Sequence, residues 1–202
     1  MASEKKFYIT SKTNKKATIW VKVPSIPVSS NYTIYMYFGN ASATSESNGD
    51  AVFNLYEDFE DNNLNGWRFS GNRGWQMLTT HYEGSYGAQN GNISDNQTSC
   101  MYRSVNLSMQ GKIRFYWKVD SETDYDYLRF YIDGVQKGNI SGNVNWQEKI
   151  YNLSSGSHEI KWCYTKDITV SRYADEGYVD FIRVRKYTSL EPTTNVGAEE
   201  SW

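Results

Sequence analysis

Two groups of side chains in this sequence have the types and spacing to do chemistry. The first is acidic. Glu57, Asp58, Glu60 and Asp61 crowd together, and Asp180 stands far downstream in Tyr178-Val-Asp-Phe-Ile-Arg-Val184. Calcium is a hard cation that takes roughly six to eight oxygen ligands, and carboxylates on adjacent strands supply several of them. On an opening strand, Asp58 and Glu60 are two positions apart and share one face. On a closing strand, Asp180 shares its row with Ile182 and Val184 and is expected to point inward, where an unpaired carboxylate is costly. A structural calcium ion held by Asp58, Glu60 and Asp180 would relieve that cost and fasten the two ends of the domain. The competing reading is a solvated acidic turn, with Asp180 hydrogen-bonded to backbone.

The second group is aromatic. Phe, Trp and Tyr make up 16% of the chain, with 17 Tyr and 7 Trp, more than a small core requires. Tyr125, Tyr127, Trp146, Tyr164 and Tyr173 fall near turns or strand ends and are the candidate ligand-binding residues. Ring faces stack on sugar faces, while Asp, Asn and Lys supply directional hydrogen bonds. The competing reading is that these rings are core residues or cross-strand pairs.

Catalytic chemistry has little to work with, and no enzyme is expected. The two histidines, His81 and His158, sit in no metal or nucleophile motif, and no Gly-x-Ser-x-Gly elbow occurs. A glycosidase needs paired carboxylates. Glu57-Asp58-Phe59-Glu60-Asp61 does not match the alternating Glu-x-Asp-x-x-Glu strand signature, and Asp124 and Asp126 lack a third partner. The two cysteines, Cys100 and Cys163, each fall on a strand row opposite the apolar one. That placement is compatible with a cross-strand disulfide, the alternative being two buried thiols.

The elements that must position these groups are strands. Tyr, Thr, Val, Ile and Trp favour sheets, and helix fillers are scarce. The expectation is an all-β chain: an antiparallel two-sheet jelly roll with a small N-terminal β-unit. Candidate strands are 7–10, 17–23 and 32–37, then 67–70, 75–79, 99–107, 112–119, 127–133, 147–152, 158–165 and 177–185. The clearest alternation sets Ile113, Phe115, Trp117 and Val119 against Arg114, Tyr116 and Lys118. Leu128, Phe130 and Ile132 repeat it before the turn Asp133-Gly134, and Ile160, Trp162 and Tyr164 repeat it again. The rows predict a core containing Phe115, Trp117, Leu128, Phe130, Ile132 and Trp162. Asn48-Gly49-Asp50 reads as a turn. The chain is expected to divide into a β-unit over 1–56, a sandwich over 57–188 and a flexible polar tail over 189–202.

A net charge of -2 and the absence of a Lys/Arg-rich block give no pull toward nucleic acid. No run approaches the roughly 20 apolar residues of a membrane span. The residues after Met1 lack the apolar stretch of a signal peptide. Seven Asn-x-Ser/Thr sequons, at Asn31, Asn40, Asn92, Asn96, Asn106, Asn139 and Asn152, nevertheless point to an extracellular or cell-surface home.

Two resemblances follow from particular stretches. Ile19-Trp-Val-Lys-Val-Pro-Ser-Ile-Pro27, Thr33-Ile-Tyr-Met-Tyr-Phe-Gly-Asn40 and Asn48-Gly-Asp-Ala-Val-Phe53 resemble the second half of an uncharacterised β-domain of archaeal and bacterial surface proteins. That resemblance implies that residues 7–53 are a truncated form of the domain. Asp58-Phe-Glu-Asp-Asn-Asn-Leu-Asn-Gly-Trp67 and the closing Tyr178-to-Val184 stretch flank Ser121-to-Gly134 and His158-to-Asp167. This layout is similar to MAM-like and concanavalin-like jelly rolls and to several carbohydrate-binding modules. The resemblance implies an extracellular binding or adhesion module, with Glu60 and Asp180 matching the family positions that often hold calcium. A non-catalytic module that recognises glycan is the leading expectation. The alternative is a structural surface-protein module packed against protein partners through an open sheet edge. A fragment of a secreted glycoside hydrolase is the least favoured.

Overall fold

Alternation along each strand decides which side chains are interior. The computed structural model describes residues 6–13, 16–23, 25–26, 30–36, 40–42, 44–169, 174–190, 192–195 and 197. Near the N-terminus, β1 (Lys6–Thr13) pairs antiparallel with β2 (Lys16–Lys22). A one-turn helix, α1 (Gly49–Val52), follows where the sequence signals a turn. Asn48 caps it by accepting a hydrogen bond from the Ala51 N–H at 2.9 Å. Gly49 is needed there because a Cβ would lie 2.4 Å from the Tyr56 ring. The strand expected over 32–37 does not form: residues 32–36 join no ladder, and residue 37 lies outside the described residues. Tyr35 is 74% exposed, so no packed face rewards an extended pairing there.

Two antiparallel sheets form the sandwich. One has the order β10 (Val135–Ile140), β9 (Tyr127–Ile132), β12 (Gly156–Thr165), β7 (Thr98–Leu107) and β4 (Arg68–Gly71). The other has the order β11 (Asn143–Leu153), β8 (Gly111–Asp120), β13 (Glu176–Lys186), β6 (Gly87–Gln89) and β5 (Gln76–Leu78), and β3 (Leu55–Glu57) also pairs with β13. Pairing of β3 with β13 brings the first and last strands of the sandwich together. The short strands β3, β6 and β10 were not expected from the sequence. They run three to six residues, too few for an alternating pattern to stand out.

The predicted core residues Phe115, Trp117, Leu128, Phe130, Ile132 and Trp162 are all buried. Phe115 packs edge-on against Trp117 and Trp162, with centroids 5.6 and 5.0 Å away, and lies 4.7 Å from Phe130. Each such burial contributes roughly 1.5–3 kcal/mol. On the opposite face of the five-stranded sheet, Cys100 and Cys163 are direct cross-strand partners joined by a disulfide, with Cα atoms 4.1 Å apart. Asp133 and Gly134, with φ of 52° and 76°, make the tight turn between β9 and β10.

One irregularity places the candidate site. On β13, Asp180 sits opposite Tyr116 of β8, but the next registered partner of β8, Arg114, faces Arg183. One extra residue is therefore accommodated in a bulge, and Phe181 takes a φ of 52°. The expected row of Asp180 with Ile182 and Val184 is broken there. Ile182 and Val184 point into the core, whereas Asp180 lies with Tyr178 on the opposite face.

Candidate functional site

The outer face of the six-stranded sheet carries an aromatic platform. Along β8, buried Ile113, Phe115, Trp117 and Val119 alternate with half-buried Lys112, Arg114, Tyr116 and Lys118. Tyr116 is flanked across the ladders by Asp180 on β13 and Glu148 on β11. The register of β11 shifts between Val144 and Gln147, and Trp146 lies within that bulge. Its ring lies 6.3 Å from Tyr178 and 6.2 Å from Tyr82. Tyr82 comes from the loop between β5 and β6 and stacks on Tyr116, with centroids 3.5 Å apart and planes 9° apart. Tyr82 remains 41% exposed, so one ring of the stack faces solvent.

Two carboxylates hold that loop down. Asp180 Oδ2 accepts hydrogen bonds from the Tyr82 and Glu83 amides at 2.7 and 3.1 Å, and Oδ1 accepts one from the Phe181 amide at 2.6 Å. Glu60 Oε1 accepts from the Ser85 and Tyr86 amides at 2.7 and 2.9 Å. Gly84, with φ of 77°, lets the loop close on Glu60, because a Cβ there would fall 2.4 Å from that carboxyl. The edge of β13 explains why Asp180 is available. β6 pairs with Tyr178 and Val179, β3 pairs from Ile182 onward, and the loop amides reach Asp180 in the gap between them. Burial pushes the Asp180 carboxyl up to about 7 against the pull of its three amide donors.

Polar groups rim the rings. The Tyr116 hydroxyl donates to Glu148 Oε1 at 2.8 Å, and Arg114 pairs with the same oxygen at 3.0 Å. The Tyr178 hydroxyl donates to Glu176, and the Lys118 ammonium lies 5.4 Å from the Tyr178 ring centroid. Burial raises both phenol pKa values, so Tyr116 and Tyr178 stay neutral hydroxyls. Nothing here resembles an activated nucleophile with its base; the face can stack on and hydrogen-bond a ligand.

The residues named from sequence scatter. Trp146 joins the platform. Tyr125 is 58% exposed in the loop between β8 and β9. Tyr127 lies on the other sheet, with the Arg129 guanidinium 4.4 Å from its ring centroid. Tyr164 must be corrected: it is fully buried and belongs to the core, because its row of β12 is the inward one shared with Ile160 and Trp162. Tyr173 lies outside the described residues. Tyr116 was legible as the ring in an otherwise cationic outward row, whereas nothing in the sequence around Tyr82 marked it.

Glu60 and Asp180 come near enough to repel one another, but Asp58 and Glu60 are not placed as expected. β3 ends at Glu57, and Phe59 takes a φ of 60°, so Asp58 and Glu60 do not share a strand face. Asp58 Oδ2 accepts from the Tyr56 hydroxyl at 2.6 Å. Glu57 accepts from the Trp67 indole and the Phe59 amide, and burial raises its pKa. Amide and hydroxyl hydrogens thus face the oxygens of Asp58, Glu60 and Asp180 where the sequence led us to expect calcium. Among the described residues, no group of three or more His, Cys, Asp or Glu is arranged to hold a metal ion. Asp180 takes the backbone-bonded role that was the competing reading.

With this geometry in place, relatives can be compared. A family model described as a domain of unknown function, DUF2341, matches residues 2–77, less than half of the chain. The match runs past residue 56 and into the sandwich as far as β5. No curated protein matches the chain. Among solved structures, TmCBM61 in complex with β-1,4-galactotriose is similar with a TM-score of 0.50 at 14% identity, covering 65% of this chain and 95% of that one. The CBM22-1 xylan-binding domain of Paenibacillus barcinonensis Xyn10C gives 0.50 at 17% identity, covering 67% and 96%. The K1 cleaved adhesin domain of Lys-gingipain from Porphyromonas gingivalis W83 gives 0.52 at 12% identity, covering 66% and 98%. At these identities the likeness establishes the fold: an all-β jelly-roll sandwich shared with carbohydrate-binding modules and adhesin domains.

Proposed function

We propose that this chain is a non-catalytic carbohydrate-binding module of an extracellular or cell-surface protein, engaging saccharide across Tyr82, Tyr116 and Trp146. The observation that carries this reading is the Tyr82–Tyr116 stack beside Trp146 on one sheet face. An apolar ring surface bordered by Lys118, Glu148 and Glu176 suits the apolar face and rim hydroxyls of a sugar. The galactotriose-bound and xylan-binding domains lend support through the fold they share with this chain. The seven sequon asparagines are all exposed, which agrees with a secreted setting.

Titration calorimetry against a panel of polysaccharides tests the reading. The whole chain should bind at least one member saturably. Trp146→Ala and Tyr82→Ala should each weaken that binding about tenfold, the loss of one good aromatic contact, with the fold retained. Silence across the panel, or undiminished binding by both variants, would sink the proposal. A second reading, docking to a protein, has its own observation in the exposed run Ile34, Tyr35 and Met36, which are 44%, 74% and 64% accessible.

A further inference from the structure

Three loops meet at the end of the sandwich where β7, β9 and β13 begin: β6–β7 with Asp95, β8–β9 with Asp126, and β12–β13 with Lys166, Asp167 and Asp175. Lys166 is the cation at their junction. Its side chain is 2% exposed, and its Nζ lies 2.6 Å from Asp175 Oδ2 and 3.1 Å from Asp95 Oδ1. Burial pulls the Lys166 pKa down, but the two carboxylates prevail and raise it, so the ammonium keeps its charge. Backbone groups join the same loops. The Lys166 amide donates to the Gln97 carbonyl at 3.0 Å, and the Asn96 amide donates to the Asp167 carbonyl. The Asp167 amide donates to Asp126 Oδ1 at 2.8 Å.

Asp126 is wholly buried, yet its Oδ2 meets no hydrogen-bond donor. Asp175 Oδ1 and the Tyr164 hydroxyl are buried and unbonded in the same way. Asp175 acts on the charge of Asp126, and both carboxylates act on Tyr164, so the three groups lie within one another's fields. Each unsatisfied buried oxygen is costly, and neighbouring carboxylates disfavour each other's charge. A single proton offsets both costs. Carried by Asp126 Oδ2, it neutralises a buried charge and supplies the donor that Asp175 Oδ1 lacks. Among the described residues, Tyr164, Lys166, Asp167 and Asp175 face Asp126, with Asp95 paired to Lys166 and Asp120 acting on Tyr164.

We infer that Asp126 and Asp175 share one proton, and that this proton latches the three loops together in mildly acidic solution and leaves them looser at neutral pH. Burial pushes the Asp126 carboxyl up to about 6, against the Asp167 amide and the Lys166 ammonium. Its ordinary value is 3.8. Between those values the closed loops hold a proton that opened loops release, so the latch weakens as pH rises through about 6. Tyr125 and Ile168, 58% and 74% exposed, adjoin Asp126 and Asp167 in the chain. The latch therefore also sets the place of two exposed apolar side chains, whether or not saccharide binds the platform.

Nuclear magnetic resonance of the whole chain tests this directly. Carboxyl carbon shifts should show Asp126 and Asp175 titrating as a coupled pair, with one step near pH 6 that the Asp167 amide also reports. Tyr82 and Glu83, whose amides bond Asp180, report that carboxylate separately. Hydrogen exchange at Asn96, Lys166 and Asp167, corrected for the intrinsic rate, should be about tenfold slower at about pH 5 than at about pH 7.5. Asp126→Asn replaces the shared proton with a fixed amide donor, so it should keep the loops protected and abolish that pH dependence. A pair that titrates wholly below about 4.5 overturns the inference, as does equal protection at the two pH values. Retention of the pH dependence by Asp126→Asn overturns it too. If that variant fails to fold, the wild-type titration and exchange still decide.

Discussion

Asp180 shows how one carboxylate can organise an aromatic sheet face. It is buried, yet all three of its hydrogen bonds come from backbone amides, two of them from the loop that carries Tyr82. Asp180→Asn sets an NH2 group against an N–H donor, leaving a buried donor unsatisfied at about 1–3 kcal/mol. The expected outcome is a lower thermal midpoint together with weakened saccharide binding, because the Tyr82 ring loses its anchor. The folded pKa of about 7 lies above the ordinary 3.8. Between those values the folded state binds more protons than the unfolded one, so this residue makes stability fall as pH rises. Cation dependence can be checked by the same thermal measurement on the wild type. With amides occupying Asp180 and Glu60, a chelator should leave the wild-type midpoint unchanged. A drop that calcium reverses better than magnesium would support the structural-ion role for Asp58, Glu60 and Asp180.

The β9–β10 hairpin and the β12 strand beside it carry two further predictions at the scale of elements. Asp133 sits in the turn and accepts from the Glu159 amide at 2.8 Å, while its other oxygen lies 2.7 Å from His158 Nδ1. The hydrogen bond to Asp133 raises the His158 pKa against the effect of burial. Burial pushes Asp133 upward, but its bonds to His158 and Glu159 prevail and hold it below the ordinary value. The histidine contribution is complete below about pH 6.5 and is lost as pH rises through its raised pKa. The aspartate contribution is present above 3.8 and is lost as pH falls through its lowered pKa. Asp133→Asn should therefore lower the thermal midpoint most between those two limits and least at either extreme. The shift should be small, because Asp133 is half exposed. On β12, the Cys100–Cys163 disulfide spans a sequence separation of 63. Chain entropy assigns such a closure about 4 kcal/mol. Reduction, or the double Cys→Ser variant, should lower the denaturation midpoint accordingly, and non-reduced mass spectrometry should find no alkylatable thiol.

Across the whole molecule, the sandwich and the site stand in different relations to the sequence. The interior rows were readable because strand side chains alternate with a period of two, and long strands such as β8 and β12 give that period room to show. Phe115, Trp117, Leu128, Phe130, Ile132 and Trp162 are buried for that reason. Cys100 and Cys163 were readable as same-side residues, and the β12–β7 register brought them opposite one another. The facing cations of β8 and β13 were half visible: Lys112 and Arg114 stand on the outward row of β8, but their pairing with Arg185 and Arg183 depends on which strand lies beside it.

What the sequence determined by itself is therefore local and periodic: the longer strands of the sandwich, most of the faces they bury, the Asp133-Gly134 turn and the supply of aromatic and charged outward residues. Three decisions belonged to the tertiary structure. A single bulged residue at Phe181 turned Asp180 from the core to the outer face, and no periodic rule foresees where an extra residue will be absorbed. Tyr164 lies on the row that alternation marks as apolar, but only the packing of β13 over the end of β12, with Gly177 close against its ring, decided that it is buried rather than open at the strand end. Tyr82, in an irregular loop, became part of the platform because Glu60 and Asp180 fix the loop backbone from positions 22 residues before it and 98 after it in the chain. Contacts across such separations depend on which strands become neighbours, and that is settled only when the two sheets close over a common core.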